Sequence, residues 1–359
     1  MNAFAHRAPL ALSFVYLASV LAGCNAGATS PAIPPNSAQS QFTRPQANAG
    51  GIKIWAAAEQ SNKVFGLSSG AKRVLDVIST ESQPVKGGDP LTLKVDRAKN
   101  LFVTDVTGGK AGVIQEYKDG KFTRSYSPDC AVSNCSSFKG VLSDNAVDDN
   151  HVFAIMKQIQ YKVGTYTVSG SGYEYWPNGN PSATPVQVLL SSDCSEVCFY
   201  DAGDVDSSGN LWLRDFGGGG YGVAEITNPS TRPSMNQILP FTFTINSGDI
   251  AGFYISNAGT VLNVGDSSHK IYQYALPLTY GGSPFNTLTP CSQGCDPHGF
   301  GFNSNDKLIV AGDGKTSGSG SPYNGFLDLG QVSKNRWKQV SNRRFTAPFS
   351  SAVYTPSDK

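Results

Sequence analysis

Charge is scarce in this chain. Asp, Glu, Lys and Arg make up 15% of its 359 residues and nearly cancel, leaving a net charge of +1. Binding nucleic acid requires clustered Lys and Arg to neutralise phosphate. Only isolated doublets such as Lys72-Arg73 and Arg343-Arg344 occur here, so nucleic acid is not an expected partner. Histidine is scarcer still, at four residues, and long amphipathic stretches of helical period are absent. What the sequence has instead is 39 Gly, 21 Pro and 15 Tyr, a composition suited to many short strands joined by tight turns. The chain reads as all-β.

The first 24 residues stand apart. Arg7 and the terminal amine precede an uncharged apolar stretch from Ala8 to Val20, too short to cross a bilayer comfortably and followed by no stop-transfer pattern. The run Leu21-Ala22-Gly23-Cys24 resembles the lipobox of bacterial lipoproteins. In that family small residues admit the signal peptidase and the cysteine is acylated. The resemblance implies a signal peptide over 1–24 and a lipid on Cys24 that binds a membrane. The protein would then sit in the bacterial cell envelope, periplasmic or surface-exposed. Ordinary signal cleavage with Cys24 left as a thiol is the other reading. Residues 25–50 are rich in Pro, Ala, Ser, Asn and Gln, which makes them a flexible tether, and the folded domain is expected over 51–359.

Within that domain one phrase recurs: an alternating strand, a polar turn and a second strand. It appears from Asp89 to Asp105 and returns as NAVDDNHVFAI (145–155), GDVDSSGNLWLRD (203–215), GFYISNAGTVLNVGD (252–266) and GFGFNSNDKLIVAGD (299–313). The apolar residues before the turn are Val95, Val147, Val205, Ile255 and Phe302, spaced 52, 58, 50 and 47 apart. Strand-length runs at such a period indicate propeller blades. Matching Pro348–Tyr354 to Pro90–Asp96 puts a sixth anchor at Val353, with no second strand after it. The missing strands are at the other end, in 52–57, 63–67 and 73–78. The expectation is a six-bladed β-propeller closed by a blade shared between N- and C-terminal strands, which removes the open sheet edge. The phrase VDSSGNLWLRD resembles the NHL-like and virginiamycin-B-lyase-like six-bladed propellers, over roughly residues 51–355. That resemblance implies fold more than function, because the fold hosts lyases, lactonases and plain binding modules.

Six cysteines besides Cys24 fall in close pairs: Cys130 with Cys135, Cys194 with Cys198, and Cys291 with Cys295. Each pair precedes the first strand of a blade. In an oxidising compartment three local disulfides are expected, each stabilising by about 2 kcal/mol. Zinc is the competing reading, but it needs four convergent ligands, and only His298 is close to a pair.

Asp204, Asp206, Ser208 and Asp215 imitate an EF-hand loop, yet strands flank them, so Asp206, Gly209 and Asn210 read as hairpin turn formers. Asp105, Asp215, Asp266 and Asp313 all end a second strand, with Glu59 in the comparable place in the first blade. They should rim the same mouth as the cysteine loops. A ring of carboxylates there could hold a single divalent cation, calcium or zinc, as the resemblance to propeller lactonases implies. The favoured reading is that each Asp caps its own loop, with no cofactor. Of the three histidines beyond the signal, His151, His269 and His298, the last begins a first strand and is the best general-base candidate. The glycines from Gly217 to Gly220 lead from strand to strand, which suits a loop and not a phosphate cradle.

Two functions follow. One is a monomeric, lipid-anchored propeller that binds an unnamed small ligand or envelope protein. The other is a metal-assisted, lactonase-like hydrolase or lyase using Asp215, Asp266, Asp313 and His298. The residues alone do not decide whether it is an enzyme.

Overall fold

The computed structural model describes residues 51–58, 61–84, 88–106, 112–128, 139–163, 166–191, 200–217, 220–231, 234–238, 252–256, 259–265, 270–278, 282–290, 295–302, 307–314, 324–340 and 349–355. Cys24, Glu59, Asp266, His269 and all the cysteines but Cys295 lie outside them. Among the described residues no helix is long and apolar enough to cross a membrane.

The described residues form six four-stranded antiparallel sheets. In the first blade β1 (Ile54–Ala58), β2 (Lys63–Leu67) and β3 (Val74–Ser79) follow in order, and the last strand, β24 (Phe349–Tyr354), pairs with β1 on its free side. The second blade is β4 (Asp89–Val95), β5 (Leu101–Val106), β6 (Val113–Lys118) and β7 (Lys121–Tyr126). The third is β8 (Lys139–Val147), β9 (His151–Val163), β10 (Tyr166–Pro177) and β11 (Val186–Ser191). The fourth comprises β12 (Tyr200–Val205), β13 (Leu211–Gly217), β14 (Gly220–Thr227) and β15 (Ser234–Ile238). The fifth has β16 (Phe253–Ile255), β17 (Val261–Gly265), β18 (Ile271–Ala275) and β19 (Asn286–Leu288). The sixth has β20 (Cys295–Phe302), β21 (Lys307–Gly314), β22 (Asn324–Gln331) and β23 (Arg336–Val340). The first strands touch in a closed circuit, β24 to β4 to β8 to β12 to β16 to β20 and back to β24. This is the expected six-bladed propeller with its shared blade.

Period-two alternation explains why β1 is apolar and buried at every position: its successive side chains face the two neighbouring blades. Ile54, Ala56 and Ala58 of β1 pack into the wedge beside the sixth blade, with Ile309, Ala311 and Phe349. Trp55 and Ala57 pack into the next wedge, with Leu93, Leu101 and Tyr117. Four further clusters fill the remaining wedges around the ring. Where β20 meets β24 the backbones themselves approach. A Cβ on Gly299 would lie 2.7 Å from the Ser350 carbonyl oxygen, and one on Gly301 2.9 Å from the Val353 Cα. Glycine at both positions is therefore a packing requirement.

The 58-residue spacing of the third blade comes from the length of β9 and β10, 13 and 12 residues, with no seventh blade needed. One register correction follows from the pairing. Val95, Val205 and Phe302 each face the first apolar residue of the second strand (Leu101, Leu211, Leu308). In the closing blade it is Tyr354, not Val353, that faces Ile54. The proline match placed the anchor one residue early, because Phe349 and not Pro348 takes the place of Pro90.

Candidate functional site

Both ends of the ring carry polar groups, and they are built differently. At the end formed by the hairpins between first and second strands, aspartates organise the turns. Asp206 accepts the N–H groups of Ser208 (2.8 Å) and Asn210 (3.0 Å) on one oxygen, and the Asn210 amide and Trp212 indole on the other. Gly209 takes φ +81°, a conformation that favours glycine. Asp96 binds the N–H and side-chain amide of Asn100 in the same way. Asp148 holds the Asn150 and His151 N–H groups and the His151 ring. The repeated Asp-turn-Asn phrase is thus hairpin chemistry. His151 is absorbed by it, and both Asp206 oxygens are taken up by the turn.

Just inside this mouth, charges are buried on the inner strands. Lys94 of β4 is 6% exposed, Asp144 of β8 3% and Asp204 of β12 8%. Each inner strand pairs on one side only, so its other edge presents N–H groups to the channel, and side chains answer them. Asp144 accepts from its own neighbour Asn145 (2.8 Å) and from Gly203 of the next blade (3.0 Å). Asp204 does the same with Val205 (3.0 Å) and Ile255 of the blade after (2.7 Å). Ser351 accepts from Leu93 and Ser350 donates to the Pro90 carbonyl. Polar side chains therefore stitch β24 to β4, β8 to β12 and β12 to β16. Burial pushes the Asp144 carboxyl up, against the opposing pull of the Lys94 charge, Thr92 and the two N–H groups.

Lys94 is the cation among these carboxylates. Its Nζ lies 3.5 Å from Asp204 Oδ2, 3.5 Å from the Phe253 carbonyl oxygen and 5.6 Å from the Tyr254 ring centre. Both polar contacts are at the long limit of hydrogen bonding. Above it opens a cavity of about 340 Å³. Lys94, Asp204 and Tyr254 lie at its base and the turns of four blades around its rim, including the exposed Arg97–Asp149 pair at 2.9 Å. Its lining carries five carboxylates (Asp96, Asp148, Asp149, Asp204, Asp206) against two cations, Lys94 and Arg97.

The expected acidic ring belongs to the opposite end, and the pairing divides it. Asp105 faces Pro90, and Asp215 faces Tyr200, at the equivalent step of their blades. In the sixth blade Gly312 holds that step, and Asp313 follows it, facing Asp296. Successive positions alternate between the faces of a blade, so Asp313 is not equivalent to the others. His298 is the extra residue of a β-bulge between Pro297 and Gly299. Cys295 begins that same strand, facing Gly314.

For Asp105 the loop-cap expectation is overturned. It is 0% exposed, and neither carboxylate oxygen has a hydrogen-bond partner. Burial pushes its carboxyl well up, and the Asp89 charge adds to this. The Thr80 hydroxyl opposes the shift but bonds in good geometry only to the Asn62 and Gly88 carbonyls.

Sequence reasoning passed over Lys94, Asp144 and Tyr254, and noted Asp204 only within the EF-hand-like stretch that it read as a hairpin. The available signal was a charge on an inner strand, one or three residues before the turn anchor.

No family model matches the chain, and no curated protein matches it. Solved structures do. A chain from the crystal structure of a nidogen/laminin complex superposes with a TM-score of 0.54 at 11% identity, covering 85% of this chain and 98% of its own. The β-propeller domain of Myceliophteria thermophila Cps50 (Swd1) matches with a TM-score of 0.47 at 9% identity, over 76% of this chain and 92% of its own. At such identities the first likeness establishes the propeller fold and nothing about activity.

Proposed function

We propose that the protein is an exported, lipid-anchored propeller that binds a small polar ligand in the cavity at its hairpin-side mouth. The observation that carries this reading is Lys94: a buried ammonium with only long polar contacts, at the base of a cavity framed by four blades. Ligand sites are concave, with a few polar groups converging on them. The excess of carboxylates repels anions, so the ligand is neutral or cationic, with hydroxyl or amino groups to meet Asp204 and the turn residues, and Tyr254 supplies an aromatic face. The lipobox-like run ending at Cys24 supports anchoring in the cell envelope. The disulfides expected for Cys130–Cys135, Cys194–Cys198 and Cys291–Cys295 fit the same oxidising compartment.

A calorimetric panel of neutral sugars, polyols and organic amines tests the site. The expected result is a binder whose affinity falls at least tenfold in Tyr254→Ala, with an unchanged circular dichroism spectrum. A panel without any binder, or a binder indifferent to both Tyr254→Ala and Lys94→Met, overturns the assignment.

A further inference from the structure

The rim of the hairpin-side mouth is divided by charge. Carboxylates dominate the second to fourth blades, around the ligand cavity. The first and sixth blades, which share the wedge around Ile54, Ile309 and Phe349, carry cations there instead. In the first blade Tyr354, Ile54, Leu67 and Val74 form one row at this end. Lys53 lies just before that row, and the exposed Lys72 and Arg73 lie in the turn between Leu67 and Val74. In the sixth blade Lys307 faces Gln331, which faces Arg336. Lys334 sits in the turn between those last two strands. Arg336, Lys338 and Val340 share one face of β23. Val340 packs into the wedge with the first blade, so the two cations face the first blade's side. Among the described residues no carboxylate stands at these turns and strand ends. Lys334, Arg336 and Lys338 are exposed, and among the described residues none of them is in an ion pair. Lysine and arginine on an outer strand often serve to discourage edge pairing. That purpose does not explain the concentration, because β11, β15 and β19 are outer strands without a charged residue.

We propose that the rim formed by the first and sixth blades is a docking surface for anionic phospholipid headgroups. The described fold begins in this sector, where Gly51 and Ile52 lead into Lys53 and β1. Between Cys24 and Gly51 lie 26 residues, which span about 25–30 Å as a flexible chain. A lipid on Cys24 would therefore hold this rim close to the headgroups. Cations spread over several turns of two blades suit a charged plane, whereas a single small anion needs them gathered in a pocket. Each basic residue near an anionic surface strengthens attachment about fivefold, and screening confines the effect to charges within about 10 Å of it. The carboxylates of the second to fourth blades are repelled by the same surface, so the propeller tilts onto its first and sixth blades and leaves the ligand cavity open to water. The docking surface draws on the envelope location proposed above, and its test runs without the lipid, so that either reading can fail alone.

Vesicles are the probe, made of phosphatidylcholine alone or of equal parts phosphatidylcholine and phosphatidylglycerol. The chain from residue 24 onward, prepared with Cys24→Ala so that it carries no lipid, contains every described residue of the propeller. In a sedimentation assay it should bind the mixed vesicles, ignore the neutral ones, and come off as salt is raised. The double variant Arg336→Gln, Lys338→Gln should weaken that binding about tenfold or more. A second double variant, Lys63→Gln, Lys121→Gln, removes the same charge from exposed positions outside the sector and should bind nearly as the parent does. The docking surface is refuted if the two double variants lose binding equally, or if the Arg336 and Lys338 variant binds as the parent does. A parent chain indifferent to phosphatidylglycerol refutes it too, and would assign the cations to an acidic protein partner instead.

Discussion

Removing the last strand tests whether the ring depends on its closing blade. Truncation after Asn342 deletes β24, whose residues Phe349, Ala352, Val353 and Tyr354 are 0%, 0%, 3% and 9% exposed. Burying Phe349 and Val353 alone is worth about 3–6 kcal/mol. Phe349 also meets Phe65 edge to face at 6.1 Å, which adds about 1 kcal/mol. Domains of this kind have a net stability of about 5–15 kcal/mol, so the loss takes most of it. Truncation also leaves the edge of β1 unpaired from Ile54 to Ala58, a template for association between chains. Urea unfolding followed by circular dichroism, with size-exclusion chromatography, should show lost cooperativity and aggregation. Grafting residues 346–355 ahead of Ile52 through a short linker should restore both. A truncated monomer with unchanged melting would refute the reasoning, since the ring would then hold without its shared blade.

The Asp144 carboxyl is raised by burial, so acid should favour the fold at this position. Below about pH 3.9 both the folded and unfolded forms are protonated. As pH rises the unfolded chain releases its proton first, and the wild type should lose stability relative to Asp144→Asn by up to about 1.4 kcal/mol per pH unit, until the folded carboxyl ionises. Urea titrations of both proteins from pH 3.5 to 7 measure the gap, and a pH-independent gap counts against the burial argument. Anchoring is tested by Cys24→Ala, which should move the protein to the soluble fraction; an unmodified Cys24 in the intact mass of the native protein would end that reading. Thiol titration of the denatured, unreduced chain should find no free cysteine among the six beyond Cys24. A peptide bridging Cys135 to Cys194 would contradict pairing between near neighbours.

Local chemistry explains which features were legible in the sequence. The blade count, the five turns and the shared first blade could be read directly, because each hairpin is encoded in a short run of consecutive residues. Asp206 and Asn210 close a turn through bonds four residues apart, so their role is visible without any tertiary contact. The anchor at Val353 slipped by one because a proline match carries no register, and only the pairing with β1 reveals that Phe349 holds the place of Pro90. The register of the acidic positions was hidden for a related reason. Asp313 ends its strand as Asp105 and Asp215 do, but one register step separates it from them, and that step is defined by the partner strand. The cluster of Lys94, Asp144 and Asp204 left only a faint trace in the sequence, a charge shortly before each turn anchor. Its members come from three blades and meet only because the ring closes, where free N–H groups on the inner strands select carboxylates and a buried ammonium balances them. Sequence by itself determined the blades and their turns, since these depend on neighbours along the chain. The polar heart of the ring was decided by tertiary structure, since charge burial depends on neighbours in space.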